Sequence, residues 1–285
     1  MKFPAFDYVS PPSLDEVVAV LEERRDMAVV LAGGQSLLPI LAFRLAAPEI
    51  VVDLKNVPGL DEIGTDSDGV RLGARVRWCD IERDAALATA HPLLVDATRN
   101  IAHYQIRNRG TVGGSLALAD PASELLGVAV TCDGEIVITS SAGERVVKAD
   151  DFFLGPMSTC LEPDEIITEL SLPAWPASRR WAFIEFARRR GDFALAGIAL
   201  YYDLDLKGRA VNAHIGAIGA SDRPRRLNVA EQIVDGSSID AEVIEAAAIA
   251  ASEAFEPLET HHAPADYRRA ILATLVERAL LQASR

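Results

Sequence analysis

The sequence predicts an α+β fold in two domains, and three observations predict it. At 285 residues the chain is longer than a single hydrophobic core usually serves, so one large or two moderate domains are expected, and two are preferred. In the first part, a short apolar run enters a glycine pair and then a helix-competent stretch at Ala32-Gly33-Gly34-Gln35-Ser36-Leu37, and a related stretch follows at Thr111-Val112-Gly113-Gly114-Ser115-Leu116. Beyond residue 176 the rhythm changes to three consecutive strand-like runs and then helical ones, the pattern of an antiparallel sheet backed by helices.

Composition narrows the function classes. Hydrophobic residues make up 49% and charged residues 25%, which is globular and not disordered. No apolar run approaches the roughly 18 residues of a membrane span, and residues 1–7 lack the apolar core of a signal peptide, so a cytoplasmic protein is expected. A formal net charge of −14, with arginines mostly scattered among acids, argues against nucleic acid as a partner. Cys79, Cys132 and Cys160 are odd in number and far apart, so they make neither a disulfide framework nor a CxxC metal or iron–sulfur signature. They read as reduced, mostly buried thiols. The adjacent His261 and His262 lack ligand spacing, and no metal site is expected.

Taken in order, Ser13 stands three residues before Glu16 as in a capping box, and Leu14, Val17, Val18 and Leu21 recur at helical spacing, giving a helix over 13–24. The β-branched run 28–31 is a strand that delivers the chain into the first glycine pair, and 37–45 can continue as a helix whose N-terminus adds positive charge there. Strand, glycine turn and helix together make a layout suited to phosphate, because glycines allow close approach and successive bare amides form an anion nest. A Gly-Gly pair also marks ordinary turns, and it is the recurrence that favours a shared site.

A strand over 50–54 and a loop at 56–59 close a small first lobe. After the turn at 66–69 come a strand over 70–74 and helices over 78–88 and 93–102, leading into the second glycine stretch. Asp120 or Ser123 can open the next helix, and Glu124 serves equally as a cap residue or as a group facing a ligand. A hairpin over 134–147 and a strand over 165–170 follow, and Pro173-Ala174-Trp175-Pro176 breaks the pattern, which sets the domain boundary there. The runs 181–188, 194–206 and 210–217 read as strands, with helices near 239–253 and 265–282, the last with an apolar face of Ile271, Leu272, Leu275, Val276, Ala279 and Leu280.

The stretches AGGQSLLP (32–39), RNRGTVGGSLALADPASEL (107–125) and ARRRGDFALAG (187–197), with the final YRRAILATLVERAL segment, resemble the FAD-carrying medium subunit of molybdenum hydroxylases. That group includes bacterial carbon monoxide dehydrogenase and the flavin domain of xanthine dehydrogenase. The resemblance spans essentially the whole chain. It implies a two-lobed FAD-binding domain of the para-cresol methylhydroxylase (PCMH) type over 1–175, with lobes of about 1–57 and 58–175, and a smaller C-terminal domain over 176–285 built on a three-stranded antiparallel sheet and helices.

By position, the resemblance implies that the backbone of Leu31, Ala32, Gly33, Gly34, Gln35, Ser36 and Leu37 and that of Thr111, Val112, Gly113, Gly114 and Ser115 hold the FAD pyrophosphate. It places Ile101 near the flavin ring, Glu124 at the adenosine ribose and Ile167 on the adenine side. Phe193 is a stacking residue for the isoalloxazine or an ordinary core aromatic. Three positions depart from the family's pattern: Ser115 replaces asparagine, Leu118 a frequent histidine, and Glu185 the lysine of xanthine-dehydrogenase-type relatives. Serine keeps a hydroxyl and loses the amide's extra donor. Arg107 and Arg109 flank the loop, where they either offset the ligand's charge or are merely solvated.

The implied function is electron transfer without a catalytic acid, base or nucleophile in this chain. FAD would collect electrons from the [2Fe-2S] clusters of a small partner, fed by the molybdenum cofactor of a large partner, in a heterotrimer or its dimer, and pass them to an external acceptor. Two other readings remain open at this level. One is a self-sufficient FAD-dependent oxidase, which needs an acid or base over the flavin and often an attachment histidine, whereas His91, His103 and His214 sit in no obvious attachment motif. The other is a non-enzymatic nucleotide-binding scaffold.

Overall fold

Residues 2–285 are described by a computed structural model. The first element is one that sequence pattern missed, the short strand β1 (Asp7–Val9). Helix α1 (Leu14–Arg24) follows, its first turn capped by the Ser13 hydroxyl, which accepts from the Glu16 amide at 3.3 Å. Strand β2 (Ala28–Leu31), helix α2 (Leu37–Ala42) and strand β3 (Ile50–Asp53) complete a parallel sheet in the order β1-β3-β2. Val17, Val18 and Leu21 of α1 cover it, in a small core with Val52, Leu54, Val57 and Leu60. The helix expected over 37–45 is shorter because Arg44 takes a left-handed φ of 57° and turns the chain away.

A second, five-stranded antiparallel sheet runs β4-β5-β10-β6-β7, formed by β4 (Ile63–Asp66), β5 (Gly69–Gly73), β6 (Glu135–Ser140), β7 (Gly143–Lys148) and β10 (Ile166–Pro173). Between β7 and β10 lie α9 (Ala149–Phe152) and the two-stranded β8 (Phe153–Gly155) and β9 (Ser158–Thr159). The stretch between β5 and β6 is helical and more finely divided than its periodicity predicts. The helix expected over 78–88 is split into α3 (Trp78–Arg83) and α4 (Ala85–Ala90), because Asp84 adopts an extended conformation and its carboxylate accepts from the Leu87 amide at 2.8 Å, ending one helix and capping the next. The helix expected over 93–102 is α5 (Pro92–Thr98), with proline at its first position and the buried His91 Nδ1 accepting from the Leu94 amide. Then come α6 (Tyr104–Arg107), α7 (Val112–Leu118) and α8 (Glu124–Thr131).

The C-terminal part is a four-stranded antiparallel sheet of β11 (Arg180–Phe186), β12 (Ala196–Leu204), β13 (Ala210–Ile218) and the two-residue β14 (Arg225–Arg226), so the expected three strands gain a short edge partner. One face packs on α11 (Ala241–Glu253) and α12 (Ala265–Ala283), with α10 (Asn228–Val234) beside β13. The other face packs on α5 and α8, so Phe183, Ala199, Tyr201 and Ile218 belong to the same core as Leu94, Leu125 and Val128. Strand β13 approaches α8 so closely that a Cβ on Gly127 would lie 2.5 Å from Ile218 Cγ2.

The linker is locked into this contact. Trp175 packs between His91, tilted at 4.5 Å, and Tyr201, edge-on at 5.3 Å, and the Arg179 guanidinium lies 4.1 Å over Tyr201 while holding Asp203 with two hydrogen bonds of 3.0 and 2.9 Å. Neighbouring His214 bonds the Thr131 carbonyl at 2.8 Å. Among the described residues, no helix is long and apolar enough to cross a membrane.

Candidate functional site: a cleft between the two lobes

Strand β2 carries the chain directly to Gly33 and Gly34. Gly34 has φ +73°, a left-handed conformation that reverses the chain into α2 and that a side chain would strain against Leu38 and Leu31. As a result the amides of Gly33, Gly34, Gln35, Ser36 and Leu37 find no acceptor among the described residues, while Gln35 Nε2 bonds back to the Gly33 carbonyl at 3.3 Å. Five neighbouring unpaired N–H groups make an anion nest without a positive side chain.

Gly33 is also where the two lobes touch. A Cβ there would overlap the Arg109 carbonyl and lie 3.0 Å from Gly110 Cα. Gly110 in turn covers the Trp78 indole, and its carbonyl accepts from the Trp78 amide at 3.3 Å. The two glycine stretches are therefore opposite walls of one cleft of about 390 Å³.

The second stretch works differently from the first, which corrects the expectation of a second row of bare amides. Gly113 and Gly114 lie in the first turn of α7, not in a turn of positive φ. All four local amides are already used: Val112 donates to the Val76 carbonyl (3.0 Å), Gly113 to Ala74 (2.8 Å), Gly114 to Thr111 Oγ1 (3.2 Å) and Ser115 to the Thr111 carbonyl (3.0 Å). The glycines serve shape here. A Cβ on Gly113 would strike Ala74 Cβ at 2.6 Å, and one on Gly114 would meet Thr111 Oγ1 at 2.8 Å and otherwise open space in the cleft.

The remaining site residues fall as follows. Ala32, Ser36, Leu37, Ile101, Thr111, Ser115, Glu124, Ile167 and Phe193 line the cleft with the glycines and Gln35. Leu31 and Val112 do not: the Leu31 side chain lies behind Gly34, and Val112 is fully buried in the core. Ile167 sits at a bulge in the β10–β6 ladder, and the bulge re-aims the strand beside the cleft. Phe193 is 65% exposed, so it is no core aromatic; it stands at the mouth on a loop whose Gly191 packs against Ala102 and His103. Arg107 is structural, donating to Glu82 (3.0 Å) and to the carbonyls of Ile101 (2.8 Å) and Ala102 (3.0 Å), and so fixing the loop that presents Ile101. Among the described residues the wall includes no lysine, arginine or histidine, so an anionic group there depends on the amides.

Sequence reasoning missed Ser123 as a wall residue, although it named it as a helix start. Its hydroxyl pairs with Ser115 Oγ at 2.7 Å, so the serine at the family's asparagine position is held by a second serine. Asp120 forms a turn by accepting from the Ala122 amide at 2.9 Å.

Glu124, only 7% exposed, has its carboxyl pushed up to about 8 by burial, with the nearby acids Glu185 and Asp120 adding to the shift. Glu185, on β11 of the C-terminal part, is pushed up to about 7 by burial, and its Oε2 is buried without a partner among the described residues. Because the folded chain binds these protons more tightly than the unfolded chain, the contribution of these two groups to stability is greatest at low pH and falls as pH rises from the ordinary glutamate value of 4.5 towards about 8. In the FAD-free protein, Glu124→Gln is expected to flatten that fall and to raise the urea midpoint above wild type at pH 8 while changing little at pH 4.5. Parallel pH profiles of the two proteins would contradict this.

A nest of free amides facing a glycine-smoothed wall, with a buried carboxyl at one side and an aromatic at the mouth, defines a protein that holds a long phosphate-bearing cofactor between two lobes. The residues present fit FAD on two grounds: the nest can take a pyrophosphate, and the missing Cβ atoms leave the room it needs. Two family models match: the FAD binding domain in molybdopterin dehydrogenase over residues 4–175, and the CO dehydrogenase flavoprotein C-terminal domain over residues 181–283. The chain is 40% identical to the nicotine 6-hydroxylase medium subunit of Paenarthrobacter nicotinovorans, over 99% of each chain. Its fold superposes with TM-score 0.95 on a chain of quinoline 2-oxidoreductase from Pseudomonas putida 86, at 39% identity and covering 100% of this chain and 98% of that one. The same TM-score is found for a chain of carbon monoxide dehydrogenase from Hydrogenophaga pseudoflava, at 35% identity and covering 99% and 98%. The chain belongs to the FAD-binding subunits of the molybdenum hydroxylase family.

Proposed function

We propose that this chain takes electrons from [2Fe-2S] clusters on a small partner subunit and passes them to an external acceptor. The complex would also contain a large subunit with the molybdenum cofactor, assembled as a heterotrimer or its dimer, in the cytoplasm. The carrying observation is the course of the cleft. It runs between the lobes and ends at the exposed Phe193, which suits a cofactor whose reactive end meets a partner at the surface. Bound FAD supplies the exchange between single-electron and paired-electron transfer.

The chain's own residues bind and orient. The amides of 33–37 hold the pyrophosphate, Gly114 gives the ligand room, Ser115 and Ser123 offer hydroxyls, and Glu124 receives the ribose. Ile101 and Phe193 flank the ring, and Ile167 lies on the adenine side. Residues 1–175, as lobes of about 1–57 and 58–175, would form the FAD-holding unit and 176–285 a cover for it; the spans of the two matching family models support this division.

The test is reduction of the flavin by the substrate of the complex. The FAD-loaded chain alone is expected to stay oxidised and to bleach only when both partner subunits are added. Bleaching of the chain alone would overturn the relay and favour a self-sufficient oxidase.

A further inference from the structure

Beside the cofactor cleft, on the far side of Phe193, lies a second hollow of about 600 Å³, within the size range of small-ligand sites. The two share Asp120, Gly191, Asp192 and Phe193, so the Phe193 loop is the partition between them. The hollow's own wall carries Arg188, Arg268, His262 and Ser221, with Asp120 and Asp192 as its acids.

Arg268 is the unusual member. It is 4% exposed, at the start of the 19-residue α12, yet among the described residues it makes no ion pair. One terminal nitrogen donates to the carbonyls of Leu195 (2.5 Å) and Gly219, the other to Thr260 Oγ1 (2.9 Å), and Nε is buried without an acceptor. Those carbonyls explain its position at the mouth of the C-terminal sheet, where it ties the start of β12 and the end of β13 to α12. They do not supply a negative charge, and a buried guanidinium without one is costly. Arg188 also lacks an ion pair among the described residues, and it donates to the His262 carbonyl at 2.5 Å. Partial loss of hydration, then the neighbouring His261, Arg188 and Arg268, hold the exposed His262 imidazole below its ordinary value, so it is neutral near pH 7. The wall thus sets two arginines, neither in an ion pair among the described residues, beside the acids Asp120 and Asp192, in a chain of net charge −14.

We propose that the hollow is a second ligand site, for a small anion bearing a carboxylate or phosphate group, with Arg268 and Arg188 as its cations and the neutral His262 imidazole as a hydrogen-bonding group. The anion supplies the counter-charge that Arg268 lacks, and its body rests against Leu258 and Phe193. Because Phe193 also walls the cofactor cleft, occupancy changes the surroundings of the flavin. The site is separate from the cofactor cleft and does not depend on which partner reduces the flavin.

The experiment is calorimetric titration of the FAD-loaded full chain with inorganic phosphate and with acetate, against sodium chloride at matched ionic strength. FAD loading removes the amide nest of residues 33–37 as a competing site. Saturable binding of one anion per chain is expected, with Kd of about 1 mM. Tighter phosphate assigns a phosphate ligand, and tighter acetate a carboxylate. The Arg188→Gln/His262→Gln double variant alters exposed residues and leaves Arg268 in place; it is expected to weaken binding at least about tenfold. Leu258→Trp fills the hollow and is expected to block binding without touching a charge. No saturable binding of either anion, or an unchanged Kd in both variants, would overturn the proposal.

Discussion

Replacing Gly33 by alanine is expected to cost the protein its flavin and part of its stability. The added methyl group would overlap the Arg109 carbonyl and press on Gly110 Cα, both backbone atoms that cannot rotate aside. The two lobes must then separate, and overpacking of this kind costs about 1–3 kcal/mol. Separation also moves the amides of 33–37 away from the opposite wall, so the cleft no longer fits its cofactor. Purified Gly33→Ala is expected to lack visible flavin absorbance and to unfold at lower urea than wild type. A yellow protein of normal stability would show that the lobes do not meet at this glycine.

Gly114→Val is expected to lose flavin as completely while keeping its fold. The backbone there is helical, the added atoms meet Thr111 Oγ1 and then the empty cleft, and the intrinsic cost of valine in a helix is below about 1 kcal/mol. The Thr111 hydroxyl can rotate, at the expense of its cap bond to the Gly114 amide. The side chain then occupies the space that the ligand needs. The measurement is flavin content after incubation with FAD, beside circular dichroism and a urea midpoint. Retention of flavin would remove α7 from the binding wall, and collapse of the fold would make its defect structural.

The contrast between these two glycines marks how much was legible in the sequence. Both stretches read alike, as glycine pairs followed by a small polar residue and leucine. The first behaves as read, because β2, the left-handed Gly34 and α2 are local and leave five amides free. The second does not, because Ala74 and Val76, far back in the chain, accept the Gly113 and Val112 amides. No local pattern announces that partnership. The helix expected over 78–88 shows the same limit on a smaller scale, since hydrophobic periodicity continued through Asp84 while its side chain capped a new helix.

Some ambiguities were settled only by packing. Phe193 as a core aromatic and Phe193 at a cleft mouth have one sequence, and its 65% exposure separates them. Arg107 beside a phosphate loop and Arg107 as a brace on the Ile101 loop also share one sequence, and its bonds to Glu82 and two carbonyls decide it.

The sequence by itself determined the α+β class, the strand–glycine–helix entry to the site, the change of rhythm beyond residue 176 and the family resemblance, because each rests on local periodicity, turn chemistry or ordered motifs. Tertiary structure alone decided which amides stay unpaired, where the lobes touch at Gly33, and which side chains share the cleft. It also decided that Glu124 and Glu185 are buried near one another and that Arg268 has no ion-pair partner among the described residues. The physical reason is common to all of these. Hydrogen-bond satisfaction, desolvation and close approach depend on groups distant in the chain, and those groups become neighbours only when the sheets and helices pack.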